Sequence, residues 1–152
     1  MKKIILILMI LMTVCSVAFA NNVLDLNRWK LCSQGSISLS YFDTQSIRVR
    51  NSSVFSVWVC VLTSSPGEGC GFAVCKRNGI DKKEHYHFSF EDYDLDSYTA
   101  TLRSIVIRDI NGKTIFSTVF STPTPSPVMP ETVGETTMLT IKQYIDEHKI
   151  NR

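Results

Sequence analysis

Two histidines, His85 and His87, have the spacing that most directly suggests chemistry. They lie two positions apart in a segment that alternates polar side chains with aromatic ones. Such alternation is typical of a β-strand, in which residues two apart point the same way. Two imidazoles on one face can hold a metal, but the sequence offers no third ligand. We therefore favour a solvent-facing pair opposite a core stripe of Tyr86, Phe88 and Phe90, and we expect no metal or other cofactor.

No catalytic set emerges from the remaining polar residues. The chain has no nucleophile elbow, and its glycines at 67, 69 and 71 lack the Lys-Thr pair and strand–helix context of a phosphate loop. The acidic residues at 91–96 are interpreted as a solvated strand end, because nothing in the sequence indicates raised pKa values there. We therefore predict a protein that is not an enzyme.

Four cysteines remain once Cys15 is assigned to an export signal: Cys32, Cys60, Cys70 and Cys75. An even number in a small exported domain predicts two disulfides, with three connectivities open. A local clip between Cys70 and Cys75 would leave Cys32 to join Cys60. The four-residue spacing inside that clip is not that of a usual zinc knuckle, so disulfides are preferred to a metal.

The segment 64–83 concentrates Gly, Pro, Ser and charge, which predicts a long loop. Loops of this length in compact domains are usually functional or disordered. Its basic residues are either ordinary solvated charges or a ligand-binding cluster. An exposed aromatic side chain beside them would favour ligand binding. The candidate ligand-binding residues are Phe72, Lys76, Arg77, Lys82 and Lys83.

Residues 1–20 have the pattern of a signal peptide. A basic start precedes an apolar run, and Ala18 and Ala20 occupy the small-residue positions of a signal-peptidase site. Lipidation at Cys15 is an alternative, although Val14 before it is larger than lipoprotein signals prefer. An uncleaved anchor is the other alternative, but the apolar run is short for a membrane span.

The mature chain, 21–152, is long enough for a single domain. Lys2 and Lys3 are the only charged residues of the signal, so the mature part is formally neutral. A nucleic-acid partner and strong adsorption to anionic membrane are therefore disfavoured, and no membrane span is expected after cleavage. The expected location is the periplasm, the outer-membrane surface or the extracellular space.

Hydrophobic periodicity predicts six strands and one helix. The predicted strands lie at about 29–32, 36–42, 54–63, 84–92, 99–110 and 113–120. The third is apolar on both faces, which is typical of a central strand. Asn111 and Gly112 predict a two-residue hairpin turn with positive φ at both positions, and the proline-rich 121–130 predicts an extended connector.

The final segment, 132–147, has the pattern of an amphipathic helix. Thr132 and Glu135 fit a capping box, and Met138, Ile141 and Ile145 recur at helical spacing. This stripe requires an apolar partner, and the sheet is the one that the sequence provides.

Several short motifs follow one another along the chain: Trp29, YFDxxSI at 41–47, VWV at 57–59, RDxNGK at 108–113 and PxTVGE at 130–135. Their order and spacing resemble those of the surface-adhesin protein E family of exported bacterial proteins. The resemblance covers about 29–147, nearly all of the mature chain.

The resemblance implies an α+β fold, in which a six-stranded antiparallel sheet carries one C-terminal helix. It also implies binding of host extracellular proteins such as vitronectin and laminin, with dimers among family members, and it carries no catalytic signature. Family members often staple the helix to the sheet with a cysteine pair, whereas here Tyr93–Ser97 and the helix contain no cysteine. We expect an exported binding protein that uses chiefly the 64–83 loop, or alternatively a periplasmic structural protein that binds a bacterial partner or itself.

Overall fold

The computed structural model describes residues 24–63, 76–79 and 85–150. In chain order its elements are β1 Trp29–Gln34, β2 Ser38–Asp43, β3 Arg48–Val49, β4 Val54–Thr63, β5 Tyr86–Asp94, β6 Thr99–Arg108, β7 Thr114–Val119, β8 Pro125–Pro127 and α1 Val133–Glu147.

The strands form one antiparallel sheet of eight strands, in the order β1-β2-β4-β5-β6-β7. The short strands β3 and β8 pair with β4 and β6 beside this path. With α1 packed on the sheet, the predicted α+β architecture is confirmed. The strand number rises from six to eight because two short segments, one of them in the proline-rich connector, add to the ladder.

Strand β4 is central, as its two apolar faces predict. Phe55, Val57 and Val59 pack in the core with α1, while Trp58 and Cys60 belong to a second apolar cluster on the other face. Since successive side chains of a strand alternate between faces, the continuous apolar run of β4 supplies both clusters.

Helix α1 packs on the sheet through the predicted stripe. Met138, Ile141 and Ile145 are buried, and burial of each such side chain stabilises the fold by roughly 1.5–3 kcal/mol. At its N-terminus, the Thr132 side chain accepts a hydrogen bond from the backbone N–H of Glu135 at 3.3 Å. The second half of the predicted capping box differs, because the Glu135 carboxylate accepts from the N–H of Glu131 rather than of Thr132.

Polar contacts join α1 to β1 in addition to the apolar stripe. The Thr140 hydroxyl donates to the Cys32 carbonyl at 3.3 Å, and the Ser33 and Thr137 hydroxyls lie 3.1 Å apart. These contacts hold the helix across β1 in a chain whose helix lacks a cysteine.

The hairpin between β6 and β7 is confirmed, but its turn is longer than predicted. The Gly112 N–H donates to the Asp109 carbonyl at 2.9 Å, and the Asp109 N–H donates to the Lys113 carbonyl at 3.0 Å. Gly112 has φ 76°, whereas Asn111 is not among the positive-φ residues. The Asp109 carboxylate accepts from the N–H groups of Asn111 and Lys113. That capping favours a turn with a single left-handed residue over the two-residue turn.

Candidate functional site

Aromatic side chains line the face of the sheet opposite α1, which we call the aromatic face. The register of β4 and β5 places Trp58 opposite Phe90 and Cys60 opposite Phe88. The aromatic residues of this face are Trp29, Tyr41, Trp58, Tyr86, Phe88 and Phe90. Tyr86 and Phe88 are buried, whereas Trp29, Trp58 and Phe90 are half-buried. Three aromatic side chains of this face are therefore partly open to solvent.

A cleft of about 280 Å³ opens within the aromatic face. Trp29 and Phe88 meet edge to face, with ring centroids 5.6 Å apart. The Arg108 guanidinium lies over the Phe88 ring, 5.0 Å from its centroid. The residues that line the cleft are Arg28, Trp29, Asp43, Trp58, Phe88, Val106 and Arg108. The cleft therefore combines aromatic walls with cationic side chains.

The two arginines of the cleft differ in their charge partners. Arg28 forms an ion pair with Asp43, its Nε donating to Oδ1 at 2.6 Å, and this hydrogen bond raises the pKa of Arg28. Arg108 makes no ion pair with a carboxylate of the described residues. Its Nε is buried and makes no hydrogen bond within them. Arg108 is therefore a cation that these residues leave uncompensated.

A second charged group lies on the same face around Asp92, which is buried. Its carboxylate accepts from the Ser56 hydroxyl at 2.7 Å, from Arg103 Nε at 2.7 Å and from Arg50 at 3.4 Å. Asp92 was expected at a solvated strand end, and that expectation is wrong because β4 and β6 flank it with hydrogen-bond donors. The arrangement satisfies a buried charge, and it leaves no free acid for catalysis at Asp92.

The two histidines have different surroundings. His87 points to the α1 side of the sheet, whereas the His85 ring packs edge to face against the Tyr86 ring, with centroids 4.8 Å apart. His87 pairs in register with Val61 and Ile107 and is only 8% exposed. Burial lowers the pKa of His87 to about 4 and also lowers that of His85. The expectation that His87 faces solvent is therefore wrong. The described residues contain no group of three His, Cys, Asp or Glu side chains that can hold a metal ion.

The structure separates Cys32 from Cys60. Cys32 lies under α1, where its thiol donates to the Ser40 carbonyl at 3.2 Å, and Cys60 lies in the cluster of the aromatic face. Side chains on opposite faces of one sheet cannot be joined by a disulfide, so the Cys32–Cys60 pairing is wrong. Cys70 and Cys75 lie outside the described residues.

The predicted loop cluster is described only in part. Lys76 and Arg77 are exposed, while Phe72, Lys82 and Lys83 lie outside the described residues. Their role in ligand binding stays a prediction. The described residues instead bring together the cleft residues Trp29, Trp58 and Arg108, which sequence reasoning did not assign to a site. All three stand in the motifs behind the family resemblance, yet only strand pairing places them side by side.

Comparison with solved structures supports the fold. A structure of Haemophilus influenzae protein E matches 83% of this chain and 89% of its own, with TM-score 0.51 and 12% sequence identity. A second crystal form of that protein matches 85% and 94%, with TM-score 0.51 and 11% identity. No family profile and no curated protein sequence matches the chain. The chain thus has the adhesin-E-like fold, and at this identity the likeness extends to the fold alone.

Among the described residues, no helix combines the length and apolarity needed to span a bilayer.

Proposed function

We propose that this chain is an exported, non-enzymatic binding protein that recognises a host extracellular matrix or serum protein through its aromatic face. The observation that carries the proposal is the half-buried aromatic surface with arginines at Arg28, Arg103 and Arg108. Tryptophan, tyrosine and arginine are enriched among the residues that dominate binding energy in protein interfaces. The adhesin-E-like fold supports a binding role over a catalytic one.

The proposal includes a cleaved signal over 1–20 and a single mature domain over 21–152. Export delivers the aromatic face to the periplasm, the outer-membrane surface or the medium. The 64–83 loop remains a second contact region in the proposal, through the exposed Lys76 and Arg77.

Binding of the purified protein to immobilised laminin and vitronectin tests the proposal. Ser104 pairs with Phe90 on one side and Val119 on the other, so Ser104→Glu places a charge in the aromatic face. Leu139→Glu is the matched control, because Leu139 is exposed on α1. We expect saturable binding that Ser104→Glu weakens about tenfold or more and Leu139→Glu leaves unchanged. Equal effects of the two substitutions, or no binding by the parent, would contradict the proposal.

A variant in which 64–83 is exchanged for a short neutral linker locates the contribution of the loop. Binding lost in this variant, and kept in Ser104→Glu, would move the binding site from the aromatic face to the loop.

A specific observation favours the alternative, a periplasmic structural protein that binds a bacterial partner or a second copy of itself. Strand β7 ends the sheet order, contains no charged residue and exposes 80% of Val119. Uncharged edge strands of this kind favour pairing with another chain. Homodimers in solution, together with no release of peptides when intact cells are treated with protease, would favour this alternative.

A further inference from the structure

The cleft around Arg108 has a charge that its own walls do not balance. Asp43 is the carboxylate of the cleft, and Arg28 is its partner. Arg108 stacks on Phe88 instead and has no carboxylate partner among the described residues. Its Nε is buried, so an anion that enters the cleft would meet the Nη groups. A half-buried cation that lacks a hydrogen-bonded anion is costly, and an incoming carboxylate would relieve that cost.

The walls of the cleft favour an apolar group next to that carboxylate. Trp29, Trp58, Phe88 and Val106 form them. The volume of about 280 Å³ lies just below the range of roughly 300–1,000 Å³ that is typical of pockets for drug-sized ligands. The cleft therefore suits a single amino-acid residue better than a folded surface or a large cofactor.

We propose that the cleft binds the C-terminal residue of a polypeptide whose last side chain is aromatic or aliphatic. A chain end carries the carboxylate and the side chain on one residue, so both fit a one-residue cleft. An internal Asp or Glu would need a second residue to fill the apolar walls. Arginine pairs with carboxylates through two parallel N–H donors, which gives the Arg108 fork a specific role. This assignment rests on the proposed function, since it names the part of the protein partner that the aromatic face receives.

Tryptophan fluorescence reads the cleft directly, because the chain has two tryptophans and both Trp29 and Trp58 line it. The probes are N-acetyl-L-phenylalanine and its C-terminal amide, which differ only in the carboxylate. We expect a saturable fluorescence change with the acid and at least about tenfold weaker binding of the amide. Equal binding of acid and amide, or no saturable change with either, would overturn the assignment.

Two substitutions test the role of Arg108. Arg108→Gln should weaken binding of the acid about tenfold or more, and Arg108→Lys should give an intermediate affinity because it keeps the charge and loses the fork. Arg48→Gln is the matched control, since Arg48 is exposed on β3 away from the cleft. Circular dichroism and a cooperative urea transition check that each variant folds. An Arg108→Gln variant that folds and binds the acid as the parent does would refute the proposal.

A pair of tripeptides separates a chain end from an internal acid. Acetyl-Ala-Ala-Phe with a free carboxylate should bind, whereas acetyl-Ala-Asp-Phe-amide should bind at least about tenfold more weakly. Equal affinities would overturn the assignment to a chain end. These probes do not require a host protein, so failure of matrix-protein binding with retained probe binding would refute the proposed function and leave the cleft assignment standing.

Discussion

Replacement of His87 by Gln should remove a large part of the acid sensitivity of the fold. His87 lies on β5 between Val61 and Ile107 in the register of its neighbours, and it is 8% exposed. Burial disfavours the charged imidazole and lowers its pKa from 6.5 to about 4. Gln has a similar size and polarity but does not titrate, so it isolates the contribution of the proton.

The magnitude follows from linkage between protonation and folding. Because the folded pKa lies below the unfolded value, the unfolded chain binds the proton more tightly. The free energy of unfolding is therefore at its full value above pH 6.5 and falls as the pH drops toward 4. The full loss is about 3 kcal/mol, of which about 2 kcal/mol is gone at about pH 5.

Urea denaturation followed by tryptophan fluorescence measures this loss. The free energy of unfolding of the parent, relative to that of His87→Gln at the same pH, should fall by about 2 kcal/mol between about pH 7.5 and 5. The m values should not change. His85 is present in both proteins, so its contribution cancels. Between about pH 7.5 and 8.5 the difference should stay constant, because the imidazole is neutral in both states. Parallel pH profiles for the two proteins would refute the inference that the buried His87 imidazole is neutral in the folded protein.

Other predictions concern the core and its polar groups. Ile141→Ala should lower the free energy of unfolding by about 3 kcal/mol because Ile141 is fully buried. Leu139→Ala, on the exposed side of α1, is the control and should change it by less than about 0.5 kcal/mol. Similar urea midpoints for the two variants would contradict the packing of α1 on the sheet. Burial raises the pKa of Cys32 to about 11, so its thiol should react slowly. The native parent and Cys32→Ala should therefore show the same number of fast-reacting thiols with Ellman's reagent. A lower number in the variant would mean that Cys32 is accessible. Asp92→Asn should destabilise the fold by about 1–3 kcal/mol, because it weakens the hydrogen bonds to Ser56 and two arginines. Asp96→Asn, at an exposed turn, is the control in thermal unfolding. Equal melting temperatures of the two variants would indicate that the hydrogen bonds of Asp92 contribute little to stability.

Local patterns predict the elements of this fold well where one physical cause dominates. The helical spacing of Met138, Ile141 and Ile145 predicts α1 and the side that it buries. The two apolar faces of β4 predict its central position. The hairpin turn illustrates the limit, because Asn111-Gly112 predicts a turn in the right place but the Asp109 side chain selects its type.

The proposed binding surface depends on information that no local pattern contains. Period-two alternation tells which strand residues share a face, but it does not tell which face α1 covers. The aromatic stripe of β5 was therefore expected in the core opposite exposed histidines. Tyr86 and Phe88 are buried as expected, but His87 on the other face is buried as well.

The sequence by itself determined the class of the molecule: an α+β chain whose strands, helix and hairpin follow from hydrophobic period and capping residues, all of which act within a few positions. The tertiary structure alone decided that Cys32 and Cys60 lie on opposite faces and that His87 is buried. It also decided that Arg108 stacks on Phe88 beside Trp29 and Trp58 without a described carboxylate partner. These features depend on strand order and on the face that α1 selects, which are set by contacts between residues far apart in the chain.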